Sequence, residues 1–130
     1  MNIEIFTLCD SAYDYSGKLV IAGAFTALAF TGEDSPISLP DVAVVARIKM
    51  EKEEAGSHHI RLVIKKGDDS PIVNIENIIP EYTEDVAPIY VNCIINLKNV
   101  IIPELGLYNV GLLIDEKELG TTQLLMTVKA

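Results

Sequence analysis

Residues 107–129 read LYNVGLLIDEKELGTTQLLMTVK, and the spacing of their apolar side chains decides the fold class. Tyr108, Val110, Leu112 and Ile114 fall on one side of an extended chain, because successive side chains of a strand point to opposite faces. The polar run DEKE (115–118) interrupts them, and Leu124, Met126 and Val128 resume the spacing of two on the return. A helix would repeat its apolar positions at intervals of three and four. Two alternating runs around a short polar turn predict a β-hairpin with one buried face.

The same period extends outward from this hairpin. In DVAVVARIKME (41–51), Val42, Val44, Ala46, Ile48 and Met50 form the apolar side, while Arg47, Lys49 and Glu51 turn the other side to water as the strand runs out. HHIRLVIKK (58–66) sets Ile60, Leu62 and Ile64 against Arg61 and Lys65, and the polar linker KEEAGS with Gly56 predicts a second hairpin. SPIVNIENIIP (70–80) predicts a strand with Val73, Ile75 and Ile79 inward, ended by Pro80. IYVNCIINLKN (89–99) predicts one whose polar face is Asn92, Asn96 and Lys98. At the N-terminus, NIEIFTLC (2–9) and KLVIAGAFTALAF (18–30) predict strands one and two. Gly23 in the second marks a bulge or bend where the chain passes between sheets.

About eight strands without helical periodicity predict an all-β fold, a single Greek-key β-sandwich domain spanning residues 1–130. The polar, Pro-bearing intervals 31–40, 67–71 and 80–88 are loops. PELGLYNV (103–110) adds an architectural detail. Gly106 two residues before Tyr108 is similar to a tyrosine corner, in which the hydroxyl bonds upstream backbone, and this predicts an immunoglobulin-like sandwich. Val110 stands where antibody domains carry a cysteine, so their disulfide is not expected.

Composition limits the function. Lys and Arg number 10 against 19 Asp and Glu, a formal charge of −9. No dense basic stripe exists, which argues against a nucleic-acid partner and an anionic membrane surface. Apolar residues make up 49% of the chain, enough for a filled core rather than disorder. The N-terminus MNIEIFTLCD has no basic region and contains Glu4, so no signal peptide is read there. No apolar run approaches the ~20 residues that span a bilayer. With no Asn-x-Ser/Thr sequon, the expected location is cytoplasmic. Two cysteines are too few for a disulfide framework. Cys93 shares its alternating face with Ile89, Val91, Ile95 and Leu97, a core position, whereas Cys9 ends the first strand with partial access to solvent. A Cys9–Cys93 bridge is geometrically open but has no support in the sequence.

The densest chemistry lies in LCDSAYDYSGKLVIAGAF (8–25). Asp10 and Asp14 beside Tyr13 and Tyr15 are candidates for a partner contact. With Asp68 and Asp69 from another loop they are also candidates for a calcium ion, which takes six to eight oxygens. The structural alternative makes Asp10 an Asx-turn residue, gives Gly17 a positive φ and packs the tyrosines over a crossover between strands. His58 and His59 point to opposite faces of one strand and cannot share an ion in regular β geometry. The acid groups Glu33–Asp34, Glu51 with Glu53–Glu54, Asp68–Asp69, Glu81 with Glu84–Asp85, and Asp115–Glu116 read as solvated turns. No nucleophile elbow or phosphate loop occurs.

Taken together, CDSAYDYSGKLVIAGAF and the closing PELGLYNVGLLIDEKELGTTQLLMTV resemble a family of short, uncharacterised bacterial β-sandwich proteins. The shared features are a Cys-Asp-x-Ala opening, Tyr-x-Gly-Lys-Leu, Gly-x-Phe and a Pro-x-x-Gly-x-Tyr entry to the last hairpin. The resemblance spans residues 3–128 and implies a compact, cytoplasmic, bacterial sandwich without implying any activity. The expectation is therefore a non-enzymatic module, with no cofactor, that binds an unknown protein partner or itself. Ile72, Ile75, Ile78 and Ile79, apolar on both sides of their strand, are the candidate homodimer contact. A calcium- or carbohydrate-binding sandwich and a small enzyme of unrecognised type are the alternatives.

Overall fold

The computed structural model describes residues 1–31, 37–79 and 89–129. Glu33, Asp34, Pro80, Glu81, Glu84 and Asp85 lie outside these residues, as does the side chain of Ile79. Eleven strands follow one another among the described residues. They are β1 (Asn2–Tyr15), β2 (Lys18–Phe25), β3 (Ala27–Phe30), β4 (Ile37–Ser38), β5 (Val42–Met50), β6 (His58–Lys65), β7 (Val73–Ile79), β8 (Ile89–Leu97), β9 (Ile101–Ile102), β10 (Gly106–Ile114) and β11 (Lys117–Val128). One 3₁₀ turn, Lys52–Glu54, is the single helical element described.

The strands form a first sheet of order β2-β1-β5-β8, a second of order β3-β11-β10-β6-β7, and a small β4-β9 pair. Pairing is antiparallel throughout except between β3 and β11. The two large sheets face each other across one apolar interior, as the layers of a sandwich do. Leu8, Val42 and Val44 of the first sheet cluster with Leu62, Ile64, Tyr108, Val110, Leu124 and Met126 of the second. Toward the other end, Ile48, Met50 and Val91 meet Ile60, Leu112 and Ile114. Each such fully buried Leu or Ile stabilises the fold by roughly 1.5–3 kcal/mol.

The hairpin of residues 107–129 forms as its alternation predicts. Ile114 pairs with Lys117, so the turn is only Asp115–Glu116, and both residues have positive φ (51° and 66°). That backbone matches the right-handed twist of the flanking strands. Val128 does not continue the buried face, because β11 runs past the Gly106–Met126 pair and keeps only β3 beside it. The Tyr108 hydroxyl donates to the Glu104 carbonyl at 2.6 Å, upstream as a tyrosine corner requires.

The expected hairpin between residues 41–51 and 58–66 is not formed. Both edges of β5 are taken, by β1 and β8, so β6 has no place beside it and joins β10 and β7 in the other sheet. KEEAGS is therefore a crossing between layers, made through the 3₁₀ turn. Its polarity and glycine suit either connection.

Candidate functional site

The stretch of residues 8–25 is a hairpin, not a loop between strands. β1 continues past Cys9 to Tyr15, and Tyr15 pairs with Lys18 around a two-residue turn of Ser16 (φ 51°) and Gly17 (φ 81°). Asp14, rather than Asp10, makes the local turn bond: its Oδ1 accepts from the Gly17 amide at 2.8 Å.

The tip of this hairpin lies far from where a straight strand would put it. Pairing of β1 with β5 ends at Cys9–Ala43, and Ile5 pairs with Arg47, which pairs in turn with Asn92 of β8. Asp14 is nine residues beyond Ile5. In a straight strand it would stand roughly 30 Å from the row of Asn92, at about 3.3 Å per residue. Instead the Asn92 side-chain amide donates to Asp14 Oδ2 at 3.0 Å and to the Gly17 carbonyl at 3.2 Å. The hairpin therefore folds back over the outer face of the first sheet.

Packing agrees with this geometry. Ala12 and Ile21 of the hairpin lie against Cys9, Ala43, Val45 and Ile94, a cluster separate from the interior. Ala43 and Val45 point away from the second sheet, yet both are buried. The fold-back explains why: the strand read as having one wet face is covered on both. Cys9, expected at a partly accessible strand end, is buried in the same cluster.

The bend falls at Asp10 and Gly23. Register is kept on either side, Cys9 with Ala24 and Ser11 with Ala22, while Gly23 between them takes φ +69°. A Cβ there would lie 2.3 Å from the Asp10 carboxylate, so the side chain of one strand occupies the space left empty by the other. Three residues later, at Thr26, the chain leaves the first sheet and β3 joins the second alongside β11. The bend read from Gly23 is thus real, and the passage between sheets follows it.

A polar chain fastens the tip. Asn92 Oδ1 accepts from Arg47 Nη1 at 2.8 Å, Arg47 Nε lies 3.5 Å from Glu4, and the Arg47 guanidinium sits 4.8 Å above the Tyr90 ring. The Asn92 bond, then the Gly17 amide, hold the Asp14 carboxyl below the usual carboxylate range. With Ala12 and Asp14 turned toward the sheet, strand alternation turns Tyr13 and Tyr15 outward, and they are 56% and 65% exposed. Val20 and Lys18, their cross-strand partners, share that outward face.

The four candidates of the opening stretch thus separate into a bend residue (Asp10), a fastening residue (Asp14) and a displayed pair (Tyr13, Tyr15). The tyrosines do not pack over a crossover. Among the described residues no three His, Cys, Asp or Glu converge to hold a metal ion. The isoleucine candidates also separate. Ile72 and Ile75 lean on the interior, whereas Ile78 faces out of the second sheet, 61% exposed, beside His59. Ile75 and Ile78 thus lie on opposite faces of β7, because side chains alternate along a strand.

His58 and His59 begin β6 and face opposite ways. His58 Nδ1 lies 2.6 Å from Asp115 Oδ2 and Nε2 lies 2.5 Å from the Glu54 carbonyl. Asp115 Oδ1 also accepts from the His59 amide at 3.0 Å. His59 is 3.6 Å from Glu76 and 3.8 Å from Glu116, and both carboxylates bind Arg61 at 2.9 Å. Asp115 and Glu116 are thus structural partners rather than simply solvated acids. Both cysteines are free thiols, and burial pushes Cys93 up to about 11. No described helix is long and apolar enough to cross a membrane.

Sequence comparison matches residues 4–127 to the model of a family described as a family of unknown function (DUF6941). No curated protein and no solved structure matches the chain.

Proposed function

The chain belongs to that family of unknown function, DUF6941, and we propose that it acts as a non-enzymatic protein-interaction module whose contact surface is the outward face of the folded-back hairpin. One observation carries the reading: Tyr13 and Tyr15 are displayed on a strand tip whose position is fixed by Asp14, Asn92 and Arg47. Tyrosine offers a large amphipathic contact area with few rotatable bonds, and a tip already held in place loses little further entropy on binding. Lys18 shares this face while Asp14 is turned away from it, so within a chain of charge −9 the surface suits a neutral or acidic partner.

The non-enzymatic part of the proposal is supported by the engagement of both histidines with carboxylates that tie strands together. A cytoplasmic location is supported by the two free thiols. An immunoglobulin-like Greek-key kinship is supported by the Tyr108 corner and the parallel β3–β11 edge. A photo-crosslinking residue placed at Tyr13 or Tyr15 in cells tests the contact surface, with exposed Glu53 as the control position. Discrete adducts at the tyrosine positions and none at Glu53 are expected. Equal labelling at all three, or none at the tyrosines, would contradict the proposal.

A further inference from the structure

The outer faces of the two sheets differ. The hairpin roofs the first, whereas the second carries a run of shallow hollows along its centre. Its rows follow from strand register. Ala27, Leu125 and Leu107 lie side by side at one end, then Gln123, Asn109 and Lys65, then Thr121, Gly111 and Val63. Beyond these come Glu118, Leu113 and Arg61.

Gly111 lines one of these, a hollow of about 190 Å³. Its position in a central strand does not demand glycine, since an added Cβ would meet only Glu118 and the Val63 carbonyl at 3.7–3.9 Å, ordinary contact distances. A glycine mid-strand sacrifices stability and often marks close approach by another molecule. Lys65 on one neighbouring strand and Glu118 on the other flank this hollow diagonally, and neither forms an ion pair among the described residues. Leu107 and Leu125, both exposed, supply apolar area in the row beyond Lys65.

We propose that a second copy of the chain docks on this face about a two-fold axis passing close to Gly111, with Lys65 of each copy opposite Glu118 of the other. A two-fold interface is self-complementary, so a cation and an anion placed equally on either side of the axis satisfy each other twice. The bare glycine at the axis lets the two faces approach. This goes beyond the proposed hairpin contact and does not depend on it. The dimer would leave the two tyrosine hairpins on its opposite outer sides, a bivalent arrangement.

Sedimentation equilibrium over a concentration series up to millimolar tests the pairing, using the whole chain, Lys65→Glu, Glu118→Lys and the double reversal. The wild-type mass is expected to rise from 14.2 kDa toward twice that value. Each single reversal is expected to hold the chain monomeric with unchanged circular dichroism and Tm. The double reversal is expected to restore the dimer. A wild-type monomer at every concentration, a dimer indifferent to both single reversals, or a double reversal that stays monomeric would each overturn the proposal.

Discussion

His58 stands between two acceptors, a carboxylate and a carbonyl, each within hydrogen-bond reach of a ring nitrogen. Only the imidazolium can donate to both; a neutral ring would turn a lone pair toward one of them. Asp115 chiefly, then the Glu54 carbonyl, therefore raise His58 above its ordinary 6.5. The same contact lowers Asp115 below 3.8. The stabilisation from His58 is fully present below about pH 6.5 and is lost as pH rises through the raised folded value. That from Asp115 is present above about 3.8 and is lost as pH falls through its lowered folded value. Between those limits the charge-assisted bonds contribute about 1–2 kcal/mol. Urea midpoints measured from pH 6 to 9 should fall along the alkaline limb in the wild type, and His58→Gln should flatten that limb. Identical limbs in the two proteins would remove the imidazolium from the argument. The sequence shows that adjacent histidines on a strand must diverge, but not this partnership, since Asp115 lies 57 residues away along the chain.

At the scale of elements, the same strand position means different things on the two sheets. Val45 points outward from the first sheet yet is buried beneath the hairpin, whereas Val63 points outward from the bare second sheet. Val45→Thr places a hydroxyl where water is excluded and should cost about 1–3 kcal/mol. Val63→Thr, at a half-exposed strand site, should stay within about 0.5 kcal/mol. Urea denaturation of both variants measures the contrast, and equal small losses would mean that no roof exists. Alternation alone made the β10–β11 hairpin legible, because its turn and both faces are set by local register. The β5–β6 linker misled because a polar, glycine-bearing segment does not reveal whether the edges of the preceding strand are free. The fold-back was hidden for a related reason. Asp10 read as a turn residue, Gly23 as a bulge or bend and Asp14 as a partner or calcium candidate, and nothing local places the Asp14 carboxylate beside Asn92.

Across the whole molecule, the two layers share an interior but divide their outer surfaces: one is covered by the chain's own hairpin, the other is open. That division puts the tyrosine pair on one side and the proposed self-association face on the other. Everything on the tyrosine side depends on the hairpin lying against the first sheet. Methyl NOE spectroscopy on protein labelled at Ala, Ile and Val methyls tests this directly. Cross-peaks from Ala12 and Ile21 to Val45 and Ile94 are expected, since the four side chains belong to one cluster. A spectrum in which Ala12 and Ile21 see each other but neither Val45 nor Ile94 would mean that the hairpin projects into solvent.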